Sequence, residues 1–121
     1  MMTGRVENRH ALLFVTLRLA GRPDVSIECV IDTGFTDALC LPTAVVNALD
    51  LPYQYDFPAS LANGARVLLP VHEATIVWDG VERRVHLLAT GERPLIGTAL
   101  LDGAELVVQF AEAGLVTVEP L

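Results

Sequence analysis

The sequence lacks clustered basic residues and long apolar segments. It carries a net charge of −7, and Arg83-Arg84 is its only pair of adjacent arginines. Nucleic-acid binding needs a concentrated basic surface, so the sequence argues against that function. No apolar run approaches the roughly 20 residues that span a bilayer, and residues 1–10 are too polar for the apolar part of a secretion signal. We therefore expect a cytoplasmic protein with neither nucleic acid nor a membrane as partner.

Thiols and imidazoles are too few and too scattered to suggest a metal site. Cys29 and Cys40 form no Cys-x-x-Cys pair and have no histidine nearby, so we expect reduced core residues. His10, His72 and His86 are spaced unlike a ligand set and are expected at surface or strand positions. The sequence therefore predicts no metal ion and no other cofactor.

The chain is rich in apolar residues for its size. They make up 52% of its 121 residues, and charged residues make up 19%, against usual fractions of about 45–50% and about 25%. A chain of this length is expected to fold as one domain, spanning residues 1–121. Two explanations of the composition stay open: a partner covers part of the surface, or the β core is simply well filled.

Alternation of apolar and polar residues predicts strands in the first part of the chain. Residues 13–19 and 25–31 alternate on either side of a turn cluster, which predicts a hairpin. In the second strand the period of two places Asp32 on the face opposite Ile31. One short helix is predicted from Thr43 to Leu49, with Thr43 as its N-cap.

Turn residues organise the second half. Asn63-Gly64, between two extended arms, is the strongest short-range hairpin signal, and Asp79-Gly80 predicts another tight turn. The other predicted elements are a loop at 53–58, strands at 67–78 and 81–89, a loop at 91–94, a helical turn at 98–101, and closing strands at 104–110 and 115–118. The sum is an all-β domain of short strands with one or two short helices.

Asp32-Thr33-Gly34 lies where a buried strand meets a tight turn. An aspartic peptidase holds its catalytic acid in this way. Such a site needs two carboxylates that share a proton, because like charges at that distance do not both ionise without a large cost. The chain has only one such triplet, so the second carboxylate would come from a second copy of the chain. A strand-end aspartate that caps a turn is the alternative.

Three features, in order and spacing, resemble the retropepsin-like aspartic peptidases. They are Ile31-Asp32-Thr33-Gly34, the hairpin at Asn63-Gly64, and Leu95-Ile96-Gly97 before residues 98–101. The likeness is strongest to small single-domain bacterial and archaeal members, whose Asp-Thr-Gly-Phe stretch also runs on to Leu-Pro. It covers about residues 13–110 and implies a closed β-barrel that forms half of an acid-protease site. The implied function is a homodimeric aspartic endopeptidase that hydrolyses peptides or proteins.

The resemblance also implies a role for each residue of the triplet. Asp32 is the catalytic carboxylate, which with its copy activates a water. Thr33 hydrogen-bonds across the two-fold axis, and Gly34 brings the backbone close to the carboxylates. The alternatives are an ordinary β-branched residue for Thr33 and a turn glycine for Gly34.

Substrate-binding residues are implied in the same way. Leu95-Ile96-Gly97 passes behind the Asp32 loop, with Gly97 leaving room for it, and the Asn63-Gly64 hairpin is a flap that closes over the peptide. An extended substrate then places alternate side chains in apolar pockets, which favours bulky apolar residues near the cut. Ordinary packing of an apolar pair and a plain surface hairpin are the alternatives.

Some positions depart from the family pattern. Phe35 stands where better-known members have a small residue, which predicts a narrower or differently lined substrate groove. The hairpin tip has one glycine where others have several, so its opening is expected to be restricted. Asp37 is one position away from a substrate-binding aspartate of retroviral members, and we assign it no role. The tail, residues 111–121, extends beyond viral members and is expected to add a strand to the dimer interface.

Three functions remain open. The favoured one is an active homodimeric endopeptidase. The second is a weak or inactive dimer of the same fold that binds extended peptides, with Phe35 or the flap spoiling the geometry. The third is a structural β domain in which Asp-Thr-Gly is accidental. A strictly monomeric protein would exclude the first two.

Overall fold

The computed structural model describes residues 1–121, which form ten strands and two short helices. The strands are β1 (Met2–Glu7), β2 (His10–Arg18), β3 (Val25–Ile31), β4 (Leu39–Leu41), β5 (Tyr53–Ser60), β6 (Arg66–Trp78), β7 (Val81–Ala89), β8 (Leu95–Ile96), β9 (Ala104–Val108) and β10 (Leu115–Pro120), and the helices are α1 (Thr43–Ala48) and α2 (Thr98–Leu101). The predicted all-β class with one or two short helices is confirmed. Neither helix is long and apolar enough to cross a membrane.

All strands belong to one sheet that curls back on itself. Their order is β5-β6-β7-β4-β8-β3-β2-β1-β10-β9, and β6 also pairs with β2. This additional pairing runs from Thr16 opposite Val77 to Arg18 opposite Thr75, so the central strands form a barrel-like ring. The two ends of the sheet, β5 and β9, each keep one unpaired edge.

The ring encloses an apolar core of 22 buried side chains. Along β2, Leu13, Val15 and Leu17 are buried while Phe14 and Arg18 are exposed, which confirms the predicted alternation. No polar or charged side chain is buried. Because burying a large apolar side chain stabilises the fold by about 1.5–3 kcal/mol, this core holds the surrounding loops in place.

Residues 53–58 were predicted as a loop, but they belong to β5. The strand pairs with β6 from Tyr53 opposite His72 to Ser60 opposite Arg66, with an irregularity between Tyr53 and Tyr55. It lies at the end of the sheet, where proline is tolerated because one row of N–H groups needs no strand partner. The prediction was wrong because pairing with the long strand β6 outweighs the local proline signal.

The predicted helix is present, but Thr43 is not its N-cap. Pro42 occupies that position, and its carbonyl accepts the amides of Val45 and Val46 over 3.0 and 3.1 Å. The Thr43 hydroxyl instead donates to the carbonyl of Ala89 over 3.5 Å. Thr43 therefore tethers α1 to the end of β7.

The chain termini form part of the sheet. Strand β1, which was not predicted, lies between β2 and β10, and β10 lies between β1 and β9. Val116 and Val118 of β10 are buried in the chain's own core. The tail was expected to add a strand to a dimer interface, but both of its edges are already paired within the chain. Among the three neighbouring strands β1, β10 and β9, only β9 has an unpaired edge.

Candidate active site

Asp32 follows β3 directly and is held by a neighbouring strand. Its amide donates to the carbonyl of Ile96 over 2.9 Å. Just before it, Val30 and Ile31 pair in parallel with Leu95 and Ile96 of β8. Because β3 is hydrogen-bonded on both sides, to β2 and to β8, the position of the Asp32 backbone is fixed by the sheet.

The turn after Asp32 orients its carboxylate. The amide of Phe35 donates to the Asp32 carbonyl over 3.1 Å, and the amide of Gly34 donates to Oδ1 of Asp32 over 2.9 Å. A hydrogen bond to an ionised acceptor is stronger than one between neutral groups. A Cβ added to Gly34 would lie 3.2 Å from the same oxygen, so the backbone approaches this carboxylate closely.

Gly97 is buried against the loop that carries Asp32. A Cβ at this position would lie 1.9 Å from the carbonyl oxygen of Asp37 and 2.7 Å from Cδ2 of Phe35. The amide of Gly97 donates to the carbonyl of Ala38 over 3.0 Å, and that of Thr98 to the carbonyl of Phe35 over 2.8 Å. The space that Gly97 was predicted to leave for the loop is present.

An open cleft with a volume of about 390 Å³ lies beside Asp32. Its lining residues are His10, Val30, Ile31, Asp32, Thr33, Arg93 and Leu95. Asp32 is half-buried and Thr33 is exposed, so the carboxylate borders solvent-accessible space instead of the core. Asp32 is the only carboxylate in the lining, and a single chain therefore supplies one acid.

The predicted site residues fall into three groups. Asp32, Thr33 and Leu95 line the cleft, while Gly34 and Ile96 hydrogen-bond to Asp32 and Gly97 packs against the loop that Asp32 begins. Phe35, a predicted substrate contact, packs against Gly97 and does not line the cleft. Asn63 and Gly64 lie at the tip of the β5–β6 hairpin, also outside the lining.

The hairpin tip is built as the Asn-Gly signal predicts. The amide of Ala65 donates to Oδ1 of Asn63 over 2.9 Å, and the amide of Leu61 donates to the carbonyl of Ala65 over 2.8 Å. Gly64 has a φ of +84°, which costs a glycine little and other residues more. All residues from 61 to 66 are exposed, and their action as a flap stays a prediction.

Sequence reasoning missed the two nitrogen-bearing side chains of the lining, His10 and Arg93. His10 begins β2, and Arg93 lies two residues before Leu95. Neither belongs to a motif, and they reach the cleft because β3 pairs with β2 on one side and β8 on the other. The only feature of the sequence that could have indicated Arg93 is its position two residues before Leu95.

The two thiols play no part in the cleft. Cys29 is buried, and its burial, together with the negative charge of Glu28, raises the pKa of its thiol to about 12. Burial also raises the pKa of Cys40, although a backbone hydrogen bond at Thr90 opposes this effect. Both are free thiols that remain protonated near neutral pH, as expected for core residues.

Comparison with known proteins finds likeness in structure. No protein-family model and no curated protein sequence matches the chain. EIAV protease, complexed with the inhibitor HBY-793, matches with a TM-score of 0.65 and 23% identity, covering 84% of this chain and 95% of the protease. Simian foamy virus (mac) protease matches with a TM-score of 0.55 and 18% identity, over 74% and 90% of the two chains. A retropepsin-like aspartic protease from Rickettsia conorii matches with a TM-score of 0.59 and 14% identity, over 100% and 91%.

These identities establish the fold alone. The chain has a retropepsin-like fold, which confirms the fold class predicted from the Asp32 triplet, the hairpin and Leu95-Ile96-Gly97. A special likeness to bacterial and archaeal members stays a prediction.

Proposed function

We propose that the protein is an aspartic endopeptidase that works as a homodimer, with one Asp32 from each chain. The observation that carries this proposal is the fixed carboxylate of Asp32, which lies at a strand end, accepts the Gly34 amide over 2.9 Å and borders an open cleft. The retropepsin-like fold supports the same function.

The chemistry requires two acids in different protonation states. Two Asp32 carboxylates that face each other across a two-fold axis hold one proton between them, because two adjacent negative charges repel strongly. The ionised carboxylate removes a proton from a water, whose oxygen attacks the peptide carbonyl, while the protonated acid donates to the carbonyl oxygen. The C–N bond then breaks as the amine nitrogen takes up a proton from the acid pair. The Gly34 amide keeps Oδ1 of Asp32 oriented throughout.

The free edge of β9 is the surface through which we propose that two copies pair. An unpaired strand edge readily accepts another strand. Alternate residues of β9 bond to β10, as Gln109 does to Leu115 over 2.9 Å. The intervening residues therefore turn their N–H and C=O groups toward the free edge; these are Ala104, Leu106 and Val108.

A register centred on Val107 suits this surface best. It places exposed Val107 opposite its own copy and Glu105 opposite Gln109 of the copy, so no like charges face each other. Val107 is 46% exposed and Phe110 is 73% exposed in the single chain. Pairing in this register would cover apolar surface and join two chains that each carry one Asp32.

Among the alternatives, a weak or inactive peptide-binding dimer is less favoured. Phe35 was the residue expected to spoil the substrate groove. Its ring packs against Gly97, 2.7 Å from where a Cβ would lie, and it does not line the cleft. The groove beside Asp32 is therefore not narrowed by Phe35 within one chain.

We also propose a cytoplasmic location. Cys29 and Cys40 are both free, and unpaired thiols are typical of reducing compartments.

Incubation with a mixed peptide library at acidic to neutral pH tests the proposed activity. We expect endoproteolytic products that a statine-type transition-state analogue suppresses and that Asp32→Asn no longer yields. Asp50→Asn is the matched control, because Asp50 is exposed and has a φ of +52° that asparagine adopts equally well. Equal cleavage by wild type and Asp32→Asn would exclude the acid pair.

A further inference from the structure

Arg93 is an unpaired cation in the cleft that holds Asp32. Its exposed side chain lines that cleft together with Asp32 and Thr33. No carboxylate of the chain lies within ion-pair distance of its guanidinium, and this includes the neighbouring Glu92, which is also exposed. The guanidinium is therefore available to an external carboxylate.

The backbone next to Arg93 is held by the same strands as Asp32. The carbonyl of Pro94 accepts the amide of Val30 over 2.9 Å. Leu95 pairs in parallel with Val30 and in antiparallel fashion with Cys40. Proline also restricts the chain at position 94. The backbone next to Arg93 is thus anchored beside the site by the sheet, which limits the backbone entropy lost when the side chain binds a ligand.

The rest of the cleft suits a side chain with an apolar stem and an anionic end. Val30, Ile31 and Leu95 supply apolar walls, and His10 adds a second nitrogen-bearing side chain. Arginine binds carboxylates through two parallel hydrogen bonds. Glutamate and aspartate combine such a carboxylate with a short methylene stem.

The charge of the whole protein does not cancel this attraction. The net charge of −7 repels an acidic peptide at long range, but exposed charges are screened beyond about 8 Å at physiological ionic strength. Within the cleft the nearest negative group is Asp32, and in the proposed dimer the two copies of Asp32 share one proton.

We propose that Arg93 selects an acidic side chain, glutamate or aspartate, in the substrate segment that lies beside the scissile bond. This inference rests on the proposed peptidase function. It adds an acidic requirement at one position to the bulky apolar residues expected from the sequence.

A glutamate scan tests the proposal: each position of a peptide that the protein cleaves is replaced in turn by glutamate. The uncharged control at each position is the same peptide with glutamine. At one position near the scissile bond we expect kcat/KM for the glutamate peptide to exceed that for the glutamine peptide by about tenfold or more, the usual effect of one charged hydrogen bond. Arg93→Gln should abolish this difference, so that the glutamate and glutamine peptides are cleaved with equal kcat/KM. The matched control is Arg83→Gln, since Arg83 is exposed, makes no ion pair and lies outside the cleft.

Binding to Asp32→Asn separates this proposal from the peptidase function. Fluorescence anisotropy of the same labelled peptides should give about tenfold tighter binding of the glutamate peptide, and the double variant Asp32→Asn with Arg93→Gln should lose that preference. Equal or absent binding of both peptides at every scanned position overturns the role of Arg93, even if cleavage occurs. Glutamate-selective binding by a wild type that cleaves no peptide would overturn the peptidase function alone.

Discussion

Gly97 lies so close to Asp37 that a methyl group on its Cα would be 1.9 Å from the Asp37 carbonyl oxygen. The obstacle is backbone, so no change of side-chain rotamer would relieve the clash. Gly97 ends the segment that pairs with β3, and Asp37 belongs to the loop that begins at Asp32. The contact therefore fixes the spacing between the loop that carries Asp32 and the strand that supports it.

Gly97→Ala should destabilise the protein by about 3 kcal/mol, at the upper end of overpacking effects, because the loop or β8 must shift. Denaturant unfolding measures this change. Gly34→Ala is the matched comparison, since its Cβ would meet only Oδ1 of Asp32, at 3.2 Å. It should cost less than about 1 kcal/mol of stability but slow cleavage. Equal stability of the two variants would contradict the packing described here.

Val107→Lys should convert the proposed dimer into an inactive monomer. A lysine there would face its own copy across the proposed β9 pairing, and edge lysines oppose strand association. Sedimentation velocity and a cleavage assay measure the two effects together. Phe14→Lys is the control, because Phe14 is 60% exposed and lies on β2, which β1 and β10 separate from β9 in the sheet. A dimeric, active Val107→Lys would exclude β9 as the interface.

Alkaline pH should weaken the fold through Cys29. Burial and the charge of Glu28 raise the pKa of this thiol to about 12 in the folded chain, whereas an unfolded cysteine has a pKa of about 8.5. The folded state therefore keeps a proton that the unfolded state loses, so stability is unaffected below the lower value and falls as pH rises between the two. We expect a loss of about 1 kcal/mol per pH unit in this range.

Unfolding free energies of wild type and Cys29→Val, measured from neutral pH to about pH 10, test this effect. Valine is similar in volume and does not titrate, so the variant should lose less stability over the alkaline part of the range. Parallel pH profiles of the two proteins would contradict the assignment to Cys29.

Gly64→Ala should slow peptide cleavage while it lowers the free energy of unfolding only modestly. Gly64 has a φ of +84° and nothing lies within 4 Å of an added Cβ, so the cost is conformational, about 1–2 kcal/mol. If the β5–β6 hairpin closes over substrate, the altered tip should also raise KM. Gly80→Ala is a matched control, because Gly80 has a φ of +80° in a similarly open turn. Equal kinetics of the two variants would argue against a flap at residues 63–64.

Local sequence signals predicted the elements whose patterns are self-contained. The alternation along β2 and β3 and the turns at 63–64 and 79–80 depend on a few adjacent residues, and the structure contains each of them. Strands β1 and β5 depend on partners distant in sequence: β1 is stabilised by β2 and β10, and β5 by β6. Only one residue of β1 is buried and none of β5, so neither strand shows the alternation of buried and exposed residues that predicts a strand.

In the candidate site, too, residues within short motifs were predicted and residues placed by strand pairing were not. Asp32-Thr33-Gly34 and Leu95-Ile96-Gly97 were found because compact motifs carry them. Arg93 was missed because its place in the cleft follows from the parallel pairing of β3 with β8, which no local pattern reveals. The tail was predicted to pair with a second copy because it alternates like a free strand, but both edges of β10 are paired within the chain.

The central claim is that one active site needs Asp32 from two chains. Its most direct test refolds wild-type and Asp32→Asn chains together at varied ratios and measures cleavage per total protein. If two-fold dimers form at random and need both acids, activity should follow the square of the wild-type fraction, about a quarter at equal amounts. Activity in simple proportion to the wild-type fraction, about half at equal amounts, would mean that each chain acts alone and would contradict the account.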